Sequence, residues 1–487
     1  MTQEDPQTNW RWIAAIGGAF TVTLVATLLV VLALDGGDDS GATATPSATP
    51  TPVQTPAGQT PSPAPSPPET AFRLVYREFG QTEDIIWRVP PADPTQREEL
   101  ARIPHREGFG IKPSLSPDGK LLAYLSLPEY ALSAQSSQAD AFVMDLETDD
   151  KVLVAQNVDM TFAPLWSPDG KLLYMRQLAG PEFLAADVLI TRVIVPPLGK
   201  STPTPTATPR PSETQDPTPE PTTVLIRDSI AHVLSFAPVG FSADKASIFF
   251  VQLEGGTQQG SLLGMIKPAT SESVAAAWKV YLESLRAADA ANNTVPPPAE
   301  VVTPAPTPAP ESRLVVQMSE QLAFDYALSP DGQKFSYLVQ EFAPSGDILN
   351  RAYVADIVAA TAAPVGIDLL PAGHHLRPIW FPDGRLTFGI LPGIGSVGTI
   401  VVVNPDGTGP VFLASPLSGF DEPRKWSPDG QWLAVSHSEG DSLTNRHDVR
   451  LDVIGLTGFR ATVITGADNA TEDSVLGWVT VDESEGE

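Results

Sequence analysis

The sequence contains no cysteine. Disulfides, thiolate metal sites and a cysteine nucleophile are therefore excluded. Charge is also scarce, at 18% of residues where soluble domains usually carry about 25%. Cations are the scarcer sign: 30 Lys and Arg stand against 58 Asp and Glu, a formal net charge of -28. So acidic a chain repels phosphates, which argues against a nucleic-acid partner. Two local catalytic signatures are missing, the Gly-x-Ser-x-Gly nucleophile elbow and the phosphate-binding P-loop. Proline is the opposite case, with 50 residues among 487. That is about twice the usual share, and it is clustered.

Long apolar runs are absent but for one. Residues 13–34 carry no charge and only three polar side chains, Thr21, Thr23 and Thr27. As a helix the run spans about 33 Å, enough for a hydrocarbon core of about 30 Å. Trp10 and Trp12 precede it, where indoles favour the membrane interface. A cleaved signal peptide is the competing reading, with Ala42-Thr43-Ala44 as its cleavage site. The run is long for that role and only Arg11 precedes it, so an uncleaved anchor is favoured. Arg11 before the span and Asp35, Asp38 and Asp39 after it place residues 1–12 in the cytoplasm as a short tail. Residues 35–71 follow as a Pro/Thr/Ser-rich stalk. Such a segment has too few apolar residues for a core and is expected to be extended.

Beyond the stalk one phrase recurs: Ser116-Pro117-Asp118-Gly119, Ser167-Pro168-Asp169-Gly170, Ser329-Pro330-Asp331-Gly332 and Ser427-Pro428-Asp429-Gly430. Phe381-Pro382-Asp383-Gly384 keeps three of the four residues, and Ser242-Ala243-Asp244-Lys245 keeps two. Proline presets φ at the second turn position, Asp tolerates the third, and Gly takes the left-handed conformation. Each copy is thus expected to be a hairpin turn. A large apolar residue precedes each one (Leu115, Trp166, Phe241, Leu328, Trp380, Trp426), and a β-rich run such as Leu121-Leu122-Ala123-Tyr124-Leu125 follows.

Turn-to-turn spacings are 51, 75, 87, 52 and 46 residues. The two long intervals hold insertions at 199–221 and 271–311, without which the period stays at 46–52 residues. A four-stranded unit of this length repeated in a ring is a β-propeller blade. The turn between an aromatic-ending strand and a Leu-Leu-Ala-Tyr-like strand resembles the PD40 repeat, the WD40-like repeat of TolB-type propellers. The resemblance covers residues 72–480 apart from the insertions. It implies an all-β propeller, and it leaves function open, because such propellers serve as interaction platforms, peptidase lids and periplasmic assembly factors. Residues 72–77 match a strand that follows a turn, and residues 475–479 match one that precedes a turn. One blade shared by both ends gives seven blades; the TolB resemblance favours six. Residues 481–487 form an acidic tail.

The 199–221 insertion reads as a disordered tether. Within 271–311, residues 271–293 follow helical spacing, with Trp278, Tyr281 and Leu285 on one stripe; this stripe either covers the ring or contacts a partner. Gly393-Ile394-Gly395-Ser396-Val397-Gly398 fits a dinucleotide pattern, but a β-run follows it where a helix is needed, so it reads as a loop. His374-His375 is also expected in a loop. The repeated aspartates read as turn residues and not as a metal ring. No catalytic residue, metal or cofactor is expected. The expectation is a non-enzymatic binding or scaffold module of the cell envelope, anchored in the cytoplasmic membrane through residues 13–34, with its propeller outside and a protein, peptide or glycan at a ring face. The alternative is a propeller hydrolase or lyase whose active residues come from different blades.

Overall fold

The computed structural model describes residues 72–128, 139–160, 162–178, 188–194, 225–230, 236–245, 247–253, 261–266, 312–319, 323–342, 348–366, 372–393, 395–469, 471 and 474–480. The span at 13–34, the stalk, the 199–221 insertion, the helix with Trp278, Tyr281 and Leu285, and the acidic tail lie outside them. Among the described residues no helix is long and apolar enough to cross a membrane.

The described chain is β-sheet in antiparallel groups of four strands. Sheet A holds β1 (Phe72–Glu78), β2 (Glu83–Val89), β3 (Glu98–Pro104) and the last strand, β28 (Val475–Thr480), in the order β28-β1-β2-β3. Group B is β4 (Lys112–Leu115), β5 (Leu121–Ser126), β6 (Ala139–Asp145) and β7 (Lys151–Val158). Group C is β8 (Leu165–Trp166), β9 (Leu172–Leu178), β10 (Val188–Ile194) and β11 (Leu225–Ile230). A single residue pair, Val158 with Gln177, joins B and C into one eight-stranded sheet. Sheet D is β12 (Phe236–Phe241), β13 (Ile248–Leu253), β14 (Ser261–Ile266) and β15 (Ser312–Ser319). Sheet E is β16 (Ala323–Leu328), β17 (Lys334–Phe342), β18 (Ile348–Asp356) and β19 (Thr361–Pro364). Sheet F is β20 (His374–Trp380), β21 (Leu386–Leu391), β22 (Thr399–Val403) and β23 (Val411–Phe412). Sheet G is β24 (Phe420–Trp426), β25 (Trp432–Ser442), β26 (Asn445–Gly455) and β27 (Arg460–Thr465).

Successive groups pack face to face because alternate strand residues point to opposite sides. Val75 and Ile86 of A meet Leu122 and Tyr124 of B. Ala123 and Val143 of B meet Trp166 and Leu173 of C. Tyr174 of C stands edge-on to Phe241 of D, with ring centroids 5.5 Å apart. Phe249 of D meets Phe335 and Tyr337 of E; Leu338 of E meets Phe388 of F; Ile400 of F meets Leu433 and Val435 of G. Trp432 and Val453 of G then meet Leu74 and Tyr76 of A. The last sheet therefore packs on the first, whose strand β28 comes from the far end of the chain and pairs Trp478 with Leu74.

The repeated phrase forms the bend between the first two strands of its group. Ser116 N–H donates to Leu121 O (2.8 Å) and Gly119 N–H to Ser116 O (2.9 Å). The serine fixes the rest of the bend: its Oγ donates to Asp118 Oδ1 at 2.7 Å and accepts the Leu121 N–H at 2.9 Å. Ser329 and Ser427 repeat both bonds, and so does Ser242 of the degenerate copy. There Lys245 holds the left-handed position at φ 58, which costs a non-glycine residue about 1 kcal/mol. The Phe381 copy has no hydroxyl. Its bend closes one residue earlier, with Phe381 N–H on Arg385 O.

Neighbouring bends touch. A Cβ on Gly332 would lie 2.6 Å from Ala243 N, and one on Gly430 would lie 2.7 Å from the Phe381 ring. Gly119 likewise faces Val479, the residue that takes the serine's place in sheet A. The tryptophans before the bends add a second link. Trp166 Nε1 donates to Ser114 O (3.0 Å), Trp380 Nε1 to Ala327 O (3.0 Å) and Trp478 Nε1 to Lys425 O (3.2 Å). Each indole thus reaches the preceding group's first strand at an equivalent carbonyl. Trp426 departs from the pattern, donating to Thr387 Oγ1 (2.9 Å) and standing edge-on to Phe381.

Candidate functional site

Five of the first strands slip register: β12, β16, β20 and β24 three or four residues before the bend, and β28 at the matching place, three residues before Val479. Pro238, Pro378 and Pro423 sit at these bulges. Proline has no N–H to give to a ladder, so bulges and edge strands are where sheets accept it. In sheets E and F the bulge carries a charged residue with a left-handed backbone, Asp325 at φ 53 and Arg377 at φ 24. Non-glycine residues held there cost roughly 1–3 kcal/mol and cluster at functional sites.

Around Arg377 lies a cationic group. Glu422 on β24 receives Arg424 Nη2 at 2.9 Å and Arg446 Nη2 at 2.7 Å. Burial pushes the Glu422 carboxyl up, but the charges of Arg424, Arg446 and Arg377 outweigh it and hold the carboxyl below its ordinary value. Arg424 also donates from Nε to Ser436 Oγ (2.6 Å). Lys425 crosses from sheet G to sheet A, its Nζ donating to Leu476 O at 2.8 Å. Desolvation pulls its ammonium down, and the nearby Arg377 charge adds to that.

A second network covers all four strands of sheet G. Asp421 Oδ1 lies 2.8 Å from His437 Nδ1, and His437 Nε2 lies 3.2 Å from Glu439 Oε1. Arg450 Nη1 approaches Glu439 Oε1 at 3.7 Å, and its Nε meets Asp452 Oδ1 at 3.2 Å. Arg460 Nη1 meets Asp452 Oδ2 at 2.8 Å, and its Nη2 closes the circuit on Asp421 Oδ2. Acid and base alternate round six residues, and Asp421, His437 and Asp452 are buried. Burial pushes the Asp421 carboxyl up; His437 and Arg460 more than compensate, leaving it below its ordinary range. The network lies on the face of G whose Leu433, Val435 and Ile454 pack on sheet F. Arg460 also lines a cavity of about 260 Å3 with Phe459 and residues 413–417.

Sheet A holds a smaller network. Buried Asp84 accepts from Ile111 N–H (2.8 Å) and faces Arg77 Nη1 at 3.6 Å and His105 Nε2 at 3.2 Å. His105 Nδ1 faces Arg106 O at 2.8 Å. Burial lowers the affinity of His105 for its proton, but Asp84 and the Arg106 carbonyl outweigh that and raise it above the ordinary histidine value. These bonds tie the β3–β4 connection to sheet A.

The histidine pair departs from expectation. His374 and His375 begin strand β20 and do not lie in a loop. His375 is buried, stacks on Phe388 with centroids 4.7 Å apart, and accepts the Ala352 N–H at Nδ1 (3.1 Å). Burial first, then the Arg351 and His374 charges, push it down to about 3, so it stays neutral. The Gly393–Gly398 segment joins the antiparallel strands β21 and β22. Asp118, Asp169, Asp331 and Asp429 each accept from the serine two residues before them, and Asp383 bonds Arg385. The sequence-predicted turn residues are thus distributed one bend to each of groups B to G. Among the described residues no three His, Asp or Glu side chains converge to hold a metal ion.

Sequence reasoning missed all three charged groups. For the network in sheet G a signal was present: Arg450-Leu451-Asp452 and His437-Ser438-Glu439 place charges two apart in strands, which puts them on one face.

No family model matches the sequence, and no curated protein matches it. Among solved structures the chain is similar to a protein described as TolB from Agrobacterium tumefaciens, at 17% identity over 67% of this chain and 89% of that one, with a TM-score of 0.37. It is similar to prolyl oligopeptidase B from Galerina marginata at 10% identity over 82% of this chain and 50% of that one, with a TM-score of 0.46; the match spans half of that enzyme. It is also similar to the β-propeller domain of the Trilobed protease from Pyrococcus furiosus, at 11% identity over 80% and 98% of the two chains, with a TM-score of 0.40.

Proposed function

We propose that the seven four-stranded groups are blades of one β-propeller, closed where β28 pairs with β1, and that it works as a non-enzymatic binding or scaffold module. In this reading residues 13–34 anchor it in the cytoplasmic membrane, and the 35–71 stalk holds it outside, where a protein, peptide or glycan meets a ring face. The acidic balance keeps such a displayed domain soluble. The observation that carries the non-enzymatic reading is how the buried ionisable groups are used. His437 faces a carboxylate at each ring nitrogen, and His105 faces a carboxylate and a carbonyl. Both nitrogens of each imidazole are thus engaged within the protein, as expected of groups that hold strands together. A test combines two measurements on the full chain. Protease added to intact cells is expected to digest the 72–480 region, and the detergent-purified chain is expected to turn over no peptide or glycan substrate. Protection from the protease would sink the placement, and enzyme-like turnover would sink the binding role.

A further inference from the structure

We propose that the chain's own Pro-rich stalk docks, through residues 50–56, in the groove between the outer strands of sheets F and G, with Val53 in the cavity beside Arg460. Leu413, Pro416 and Leu417, which follow the outermost strand of F, line that cavity of about 260 Å3 together with Ile454, Phe459 and Arg460 of G. Its walls are largely apolar, and the Arg460 guanidinium is already paired with Asp421 and Asp452. The cavity therefore suits a neutral occupant. Eight large apolar side chains are exposed among the described residues, and four of them, Val411, Phe412, Leu417 and Leu456, lie on or beside the two lining segments. Leu417 is fully exposed.

Backbone groups are open there as well. β23 ends the order β20-β21-β22-β23, so its outer edge has no neighbour in the sheet. Just beyond it Leu413 N–H donates to Ile400 O at 2.9 Å, but among the described residues the N–H groups of Ala414, Ser415 and Leu417 find no acceptor. An apolar cavity with free donors along one side fits an extended chain that brings its own carbonyls. Polyproline II is such a chain: it has no internal hydrogen bonds, and it docks in aromatic-lined grooves.

The stalk matches that occupant in composition and in reach. Residues 40–68 carry no charge, and Val53, flanked by Pro50, Pro52 and Pro56, is the only large aliphatic side chain among residues 35–71. The stalk enters the fold at Phe72 in sheet A, which packs on sheet G. Phe459 belongs to both places. It packs with Leu74, Tyr76 and Trp432, its ring 5.6 Å from that of Trp432, and it lines the cavity. The 19 residues from Val53 to Phe72 span about 59 Å in polyproline II. A compact chain as long as 72–480 has a radius of gyration of about 20 Å, so the tether reaches. It also holds the segment at an effective concentration of about a millimolar, enough to fill a weak site. The other Pro-rich runs enter elsewhere, 199–221 within sheet C and 271–311 within sheet D. A docked stalk sets how the ring faces the anchor, whatever the ring itself binds.

The test is amide hydrogen exchange of the full detergent-purified chain, read in peptides covering residues 411–419. Exchange there is expected to be about tenfold faster in Val53→Glu, a change outside residues 72–480, than in the parent chain. Val302→Glu, in another Pro-rich run, should leave it as in the parent. Equal exchange in the parent and Val53→Glu, whether fast or slow, would overturn the docking. So would protection that depends on Val302, or protection lost on dilution, which would assign the groove to a second copy. Substrate turnover by the same preparation would instead sink the non-enzymatic reading, whatever the exchange result.

Discussion

The bends and the charged group near Arg377 and Lys425 lie on the same first strands, yet they were built differently. At the bends the sequence repeats and its bonds largely repeat with it, the Phe381 copy excepted: serine to aspartate, serine to the fifth residue's N–H, glycine against the neighbouring bend. Three to four residues earlier the backbone of five first strands still repeats, as a bulge, but the side chains do not. Val239, Tyr326, Pro378, Arg424 and Leu476 share one register. Repetition marks what each group needs in order to pack on the next. Departure from it marks what one group does alone, and sheets F and G depart most.

The largest effect should come from the network in sheet G, which has no counterpart at the bends. Removing one partner strands a buried charge, so Asp421→Ala is expected to lower unfolding free energy by about 3–5 kcal/mol, read as a urea midpoint. A loss below about 1 kcal/mol would show that the circuit is not formed in solution.

Next come the bends. Gly332 is left-handed at φ 66 and faces Ala243, whereas Gly384 is left-handed at φ 91 with nothing within 4 Å. Gly332→Ala should cost about 2–4 kcal/mol and Gly384→Ala about 1 kcal/mol. Similar costs at both positions would mean that neighbouring bends do not touch. Ser427→Ala follows, at about 1–2 kcal/mol, because it leaves the buried Trp432 N–H without its acceptor.

The smallest effect is a tilt of stability with pH. Burial raises and ion pairing lowers the Asp421 and Glu422 carboxyls, with a net fall. Their contribution is present above the unfolded values near pH 4 and is lost as pH drops through the lowered folded values. His105 is raised, so its contribution is full below the unfolded value of about 6.5 and fades as pH rises through the folded one. Urea midpoints from pH 3 to 9 should therefore fall at both ends. Asp421→Asn should flatten the acid limb and His105→Gln the alkaline one.

The sequence made the scaffold legible and the charged site largely illegible, for one physical reason. A bend is a local object: Pro117, Asp118 and Gly119 carry their own conformational preferences, and copies can be counted. The serine's double bond was implicit in the same phrase, yet it shows only when the fifth residue's N–H is brought back to it. The network in sheet G joins residues up to 39 apart in sequence, Asp421 to Arg460, and no short window holds them. The pair His374-His375 reads as a loop ahead of the Trp380 strand, but in the fold that strand starts at His374 and sheet E buries His375 from the side.

The central claim is that the two chain ends meet in one sheet and complete the cycle from G back to A. Because the chain has no native cysteine, a pair introduced at Phe72→Cys and Thr480→Cys, which face each other across β1 and β28, can be read without background. Mild oxidation should crosslink the monomer, giving a shifted band on non-reducing gels and a higher melting temperature. A fully reduced pair under the same oxidant, in a chain that is otherwise folded, would contradict the closed cycle.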